Sequence, residues 1–154
     1  MLFIRNSNIL DPKLFCLHFK ECDPKKCTAL KLNKLGILNI MNGVNKILKR
    51  SIVLNPFAQK EINSDDRKLI LKYGLVVIDC SWKKLLKLKD LNFGVDRKLP
   101  PLIAANPTNY GKWEKLSSAE ALAAALYITK FKTQADTILS KFSWGTQFKK
   151  LNNF

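Results

Sequence analysis

Residues 51–82 read SIVLNPFAQKEINSDDRKLILKYGLVVIDCSW, and this stretch decides the fold class. The apolar run 51–54 is short and β-branched, as a strand buried on both faces tends to be. Asn55-Pro56 ends it, because proline stiffens the exit and has no N–H for a ladder. Ser64 then offers a helix cap, Asp65 and Asp66 place negative charge in the first turn, and Gly74 stops the helix. A second apolar run, 75–79, ends on Asp79. Ser81 caps a further helix that carries Trp82, Leu85 and Leu86. With the apolar run 102–105 added, the order is strand, helix, strand, helix, strand. That alternation predicts a parallel α/β sheet.

Outward from this centre, residues 14–19 and 36–40 read as two more buried strands. Toward the C-terminus, LSSAEALAAALYITKF holds a capping box, with Ser117 as the cap and Glu120 three residues on. Alanine and leucine cover nearly every side of this helix, which predicts deep burial. A second helix is expected over 134–142, capped by Thr133, and FKKLNNF closes the chain with polar and basic residues. The expected organisation is an α/β part over 1–103 and a helical part over 104–154.

The chain has 154 residues, with 27 Lys and Arg against 12 Asp and Glu, a net charge of +15. This excess favours a polyanionic partner over a mere solubility adaptation. A membrane is disfavoured. No run reaches the ~18–20 apolar residues that span a bilayer, and the longest apolar-rich stretch, 119–128, is too short. MLFIRNSNILD does not read as a signal peptide, because Arg5 interrupts its apolar stretch. A cytoplasmic location is expected. Of Cys16, Cys22, Cys27 and Cys80, the middle pair lies near His18, but no CxxC spacing supports zinc. No metal is expected, and the cysteines are read as reduced.

Three segments of unusual composition follow apolar runs: 54–67, 76–82 and 99–121. In an open α/β sheet such loops meet at the carboxyl ends of the strands, where ligands bind. Asn-Pro occurs in two of them, at Asn55-Pro56 and Asn106-Pro107. Ordinary loop punctuation explains either dipeptide alone, but explains three convergent loops less well.

Together with DPKKCTALKL at 23–32, the strings LNPFA, DCSW, IAANPTNYG, LSSAEALAAAL and FSWGTQFKKLN closely resemble the small-subunit rRNA aminocarboxypropyltransferases of archaea and eukaryotes. The resemblance runs from about residue 13 to 152. IAANP and the pair Trp113-Glu114 depart from the usual pattern. The resemblance implies a SPOUT-type α/β domain whose helical C-terminal part makes a deep trefoil knot, threaded through the loop after the strand at 51–54. It implies transfer of the aminocarboxypropyl group of S-adenosylmethionine to a uridine or pseudouridine, with release of 5′-methylthioadenosine. The implied partner is small-subunit rRNA or the pre-ribosomal small subunit, met by a monomer.

Carried onto this chain, the cofactor contacts fall on Thr28, Leu54, Pro56, Ile78, Asp79, Trp82, Leu102, Glu114, Leu116, Ser118 and Ala121. Leu54, Pro56, Leu102, Leu116 and Ala121 would wall the adenine. Trp82 would pack on the methyl and sulfonium, by burial and cation–π attraction. Thr28 and Ser118 would bind the amino-acid tail, the latter near a helix N-terminus. Asp79 is the catalytic candidate: it would hold the tail's ammonium or accept the imide proton of the acceptor base. Against these stand plainer roles, a helix cap for Asp79, Thr28 or Ser118 and a core residue for Trp82. RNA phosphates would be held by Lys20, Lys25, Lys26, Lys31, Lys60, Arg67, Lys112 and Lys115. Tyr110 and Trp113 would either stack on bases or pack in the core. The alternatives to this activity are a SPOUT-like RNA methyltransferase and a non-catalytic ribosome-binding protein.

Overall fold

A computed structural model of the chain describes residues 11–20, 25–43 and 46–154. The N-terminal string 1–10, Cys22 and the opening Asp23-Pro24 of the first motif lie outside the described residues. Five strands form one sheet: β1 (Leu14–His18), β2 (Asn39–Met41), β3 (Ile52–Leu54), β4 (Leu75–Asp79) and β5 (Val95–Arg97). Their spatial order is β2-β1-β4-β3-β5, and every pairing is parallel. The helices are α1 (Thr28–Lys34), α2 (Lys46–Arg50), α3 (Arg67–Tyr73), α4 (Trp82–Lys87), α5 (Ser118–Ile128), α6 (Lys132–Ser140) and α7 (Gly145–Leu151).

The strands alternate their side chains between two cores. Leu14, Cys16, Ile52, Leu54, Leu75 and Val77 face the larger one, shared with α1, α3 and α5 to α7. Phe15, Leu17, Val53 and Val76 face a smaller one with Met41, Leu48 and Phe93. Burial on both faces is why β1, β3 and β4 read as apolar runs. Helix α5 sits against β4, α1 and α6. Ala119, Leu122, Ala123, Ala124, Ala125 and Leu126 are wholly buried, and small alanines let this helix approach from every side. At the α3–β4 turn, Gly74 has φ +98, and a Cβ there would lie 2.9 Å from the Lys13 carbonyl.

Several expectations need correction. The fifth strand is β5, not 102–105. Pro100 and Pro101 deprive the approach to 102–105 of ladder donors, and its own N–H groups bond elsewhere. Ile103 N donates to Asn152 Oδ1 (2.8 Å), Ala104 N to the Lys112 carbonyl (2.9 Å) and Ala105 N to Glu120 Oε2 (2.6 Å). The cap near residue 64 is Asn63, which forms a capping box with Asp66 around a 3-10 turn, Ser64–Asp66, ahead of α3. Helix α6 begins at Lys132 after Phe131, so Thr133 lies inside it. The expected run 36–40 pairs only from Asn39, because Gly36 (φ +75) is still closing α1. The caps at Ser81 and Ser117 stand as expected, the latter with its full capping box. Among the described residues, no helix is long and apolar enough to cross a membrane.

Candidate active site

The carboxyl ends of β3 and β4 open into a cavity of about 630 Å³, a size that suits a small-molecule ligand. Three chain segments meet there. The first is 54–56, at the exit of β3. The second is 77–82, where β4 turns into α4. The third is the stretch 98–121 that leads from β5 into α5. Of the residues expected to contact the cofactor, Leu54, Pro56, Ile78, Asp79, Trp82, Leu102, Glu114, Leu116, Ser118 and Ala121 line this one cavity. Thr28 does not. Its Oγ1 accepts from Ala119 N (3.1 Å), tying α1 to the first turn of α5.

The walls are fixed by buried polar anchors. Glu120 is 0% exposed and sits behind the third segment. Its Oε2 accepts from Ala105 N (2.6 Å) and Asn106 N (3.2 Å). Its Oε1 accepts from Asn106 Nδ2 (2.7 Å) and Ser117 N (2.9 Å). Asn106 also donates to the Lys115 carbonyl (3.1 Å) and accepts from Asn109 N (3.1 Å). Asn55 plays a parallel part after β3: it donates to Asp96 Oδ2 (2.8 Å) and accepts from Phe57 N (3.0 Å). Both Asn-Pro dipeptides are thus side-chain-braced turns. The capping box was legible in the sequence. That its glutamate also grips residues 105 and 106 was not, because nothing local marks that partner.

Trp82 is 46% exposed, edge-on to Phe57 at 6.1 Å, with the Lys115 ammonium 5.9 Å from its ring centroid. A plain core role is excluded, and the ring face accepts a cation. Tyr110 and Trp113 are 57% and 60% exposed, which excludes core packing for them as well. They project from a ribbon in which Ile103 and Trp113 pair antiparallel.

Lys20, Lys25, Lys26, Lys60, Lys112 and Lys115 are exposed. Lys98 and Lys115 line the cavity itself, and Lys98 was missed in the sequence. Two expected phosphate contacts are engaged within the protein. Arg67 donates to the carbonyls of Thr129 (3.1 Å) and Lys130 (2.6 Å) and lies 4.0 Å from the Phe131 ring centroid. It caps the C-terminal end of α5. Lys31 donates to the Lys141 carbonyl (2.7 Å) beside Phe142.

At the back of the cavity, Asp79 meets two residues not foreseen as its partners. His18 Nε2 is 3.4 Å from Asp79 Oδ2, and the Cys27 thiol donates to the same oxygen at 3.3 Å. The nitrogen, sulfur and carboxylate lie within 4.8 Å of one another, a set of donor types that can ligate a transition metal.

Comparison with known proteins gives this geometry its family. Residues 52–154 match the family described as "Ribosome biogenesis protein, C-terminal". Residues 12–42 match "Possible Fer4-like domain in RNase L inhibitor, RLI". The 16S rRNA aminocarboxypropyltransferase of Methanocaldococcus jannaschii is 44% identical over 142 residues, covering 92% of this chain and 83% of that one. The chain belongs to the 16S rRNA aminocarboxypropyltransferase family. The enzyme of the same name from Methanosphaera stadtmanae is 48% identical, covering 91% of this chain and 83% of its own. Among solved structures, the SAM-dependent rRNA:acp-transferase Tsr3 from Vulcanisaeta distributa superposes with a TM-score of 0.86. It shares 39% identity and covers 92% of this chain and 79% of its own.

Proposed function

We propose that this protein transfers the 3-amino-3-carboxypropyl group of S-adenosylmethionine to a uridine or pseudouridine of small-subunit rRNA, in ribosome biogenesis, releasing 5′-methylthioadenosine. One observation carries the reading: residues from three separate segments, named for cofactor contact on motif resemblance, converge on one cavity. Bound there, the sulfonium supplies an activated carbon, and the protein decides which of its carbons faces the acceptor.

In this reading Leu54, Pro56, Leu102, Leu116 and Ala121 take the adenine. The exposed face of Trp82 meets the methyl and sulfonium. Ser118, in the first turn of α5, receives the tail carboxylate, where helix N–H groups favour an anion. Asp79 holds the tail's ammonium or takes the acceptor's proton. Thr28 acts indirectly, by fixing Ala119. Glu114, held at φ +59 on the ribbon, closes one wall. The acceptor strand lies over Lys20, Lys25, Lys26, Lys60, Lys98, Lys112 and Lys115, with Tyr110 and Trp113 free to stack on an unpaired base. The helical part, 104–154, completes the cavity. We further propose a SPOUT-like deep trefoil knot, cytoplasmic action and a monomeric state. The knot rests on the motif resemblance. Pulling the chain from its ends tests it, since a knotted chain extends to a shorter full length.

Two parallel reactions on unmodified small-subunit rRNA test the activity, one with label in the carboxyl carbon of the donor and one in its methyl. Carboxyl label in RNA, with methylthioadenosine accumulating, is the expected result. Methyl label in RNA, with S-adenosylhomocysteine released, would make the protein a methyltransferase instead.

A further inference from the structure

We infer that His18, with Cys27, is a positioning residue for Asp79: the two donate to one oxygen of its carboxylate and so fix which way it faces the cavity. The inference rests on the reading that Asp79 acts in transfer. It begins in the sheet. His18 and Asp79 end β1 and β4 and are register partners, so the parallel pairing puts them side by side on one face. The pairing continues one step further, with Phe19 N donating to the Asp79 carbonyl (3.2 Å). Cys27 precedes the first turn of α1, but its side chain makes no capping bond. Its thiol donates to Asp79 Oδ2 instead.

The histidine's proton is placed by a backbone contact. Lys20 takes the left-handed conformation, φ +58, and its N–H donates to His18 Nδ1 at 3.0 Å. A nitrogen that accepts cannot carry the proton, so the neutral ring carries it on Nε2 and presents an N–H to Asp79. The same argument bears on the metal-like donor set. A metal on Nε2 would require the proton to move to Nδ1, directly against the Lys20 N–H. The geometry therefore favours hydrogen bonding to the carboxylate over ligation of an ion.

A double-mutant cycle tests this, read as carboxyl-label transfer to rRNA. His18→Phe keeps the ring's bulk and removes the N–H. It should lower the transfer rate roughly 10- to 100-fold, as expected for one lost hydrogen bond to a charged group. In an Asp79→Asn background the same change should cost less than about twofold, because the oriented charge is already gone. His18→Gln, which keeps an N–H near the Nε2 position, should recover much of the rate and serves if His18→Phe fails to fold. An undiminished loss in the Asp79→Asn background would overturn the inference, by making His18 merely structural. So would full activity of His18→Phe beside an inactive Asp79→Asn. One zinc ion per chain, lost in Cys27→Ala, would also overturn it. An Asp79→Asn protein with full activity would instead refute the role given to Asp79 itself.

Discussion

Glu120→Ala should be among the most damaging single changes outside the cavity lining. The carboxylate is fully buried and accepts from four donors: Ala105 N, Asn106 N, Asn106 Nδ2 and Ser117 N. Alanine leaves all four without their acceptor. A buried donor left unpaired costs about 1–3 kcal/mol, and water entering the space returns part of that. Taking the low end for each gives a loss of about 4 kcal/mol, to which the broken capping box belongs. For a chain of this size about 2–4 °C accompanies each kcal/mol, so the melting temperature should fall by about 8–16 °C. Glu120→Gln should fall between, since its amide keeps one acceptor but turns an NH2 toward other donors. Urea denaturation and a melting curve measure the stability. Calorimetry with S-adenosylmethionine measures whether the walls at 102–106 and 115–118 still hold their shape, with at least a tenfold loss of affinity expected, about 1.4 kcal/mol. A melting point lowered by less than about 3 °C would refute the claim that this carboxylate anchors the loops.

Trp82→Ala should weaken S-adenosylmethionine binding with little change in melting temperature, because the ring is half exposed; calorimetry beside a melting curve checks both. RNA affinity should fall steeply with salt, each neutralised phosphate adding about −0.7 to −0.9 to the log–log slope, and a flat titration would remove RNA from the account. Burial, and then the hydrogen bond to Asp136, push the Tyr127 phenol well above its usual range, while that hydrogen bond, and then Lys149, hold Asp136 below its own. The raised phenol gives stability that is whole below the ordinary tyrosine range and lost above it. The lowered carboxylate gives stability that is lost as pH falls below the ordinary carboxylate range. Tyr127→Phe should therefore flatten the decline in melting temperature above about pH 10. Arg97→Met should destabilise by about 3–5 kcal/mol, since it leaves Asp66 charged and buried without its guanidinium.

The parts of this fold that could be read in the sequence are those whose signals are local. An apolar run stopped by Asn-Pro, a serine ahead of Trp82 and the Ser117–Glu120 box each carry their cause within a few residues. Strand β5 was missed because Asp96 and Arg97 look wrong for a sheet. Their charges are answered in part by side chains far away in the chain, Asn55 and Asp66. Asp96 accepts from Asn55 and from the backbone at 93 and 94, and Arg97 pairs with Asp66. Helices α1 and α7 have seven residues each and no side-chain cap, so tertiary packing alone selects them. In the site, residues at strand ends could be read, and all but Thr28 of the residues that resemblance named for cofactor contact line the cavity. The His18 contact could not be read, because strand register creates it.

The polar residues buried around the cavity have a common logic. Asn55 with Asp96, Asp66 with Arg97, and Asn106 with Glu120 each stand behind a loop that leaves the sheet. Such groups add little net stability when paired, but leaving one unpaired is costly. They therefore exclude alternative loop conformations more than they strengthen the native one. That is what choosing among carbons on one sulfonium demands. The carbons share one sulfur and lie only a few ångströms apart, so a wall that moved by an ångström would blur the choice. Regular secondary structure supplies only part of these walls, because 98–117 crosses the strand ends as an irregular ribbon. Buried carboxylates and amides, each with fixed donor directions, hold that ribbon where helix or ladder hydrogen bonds do not reach.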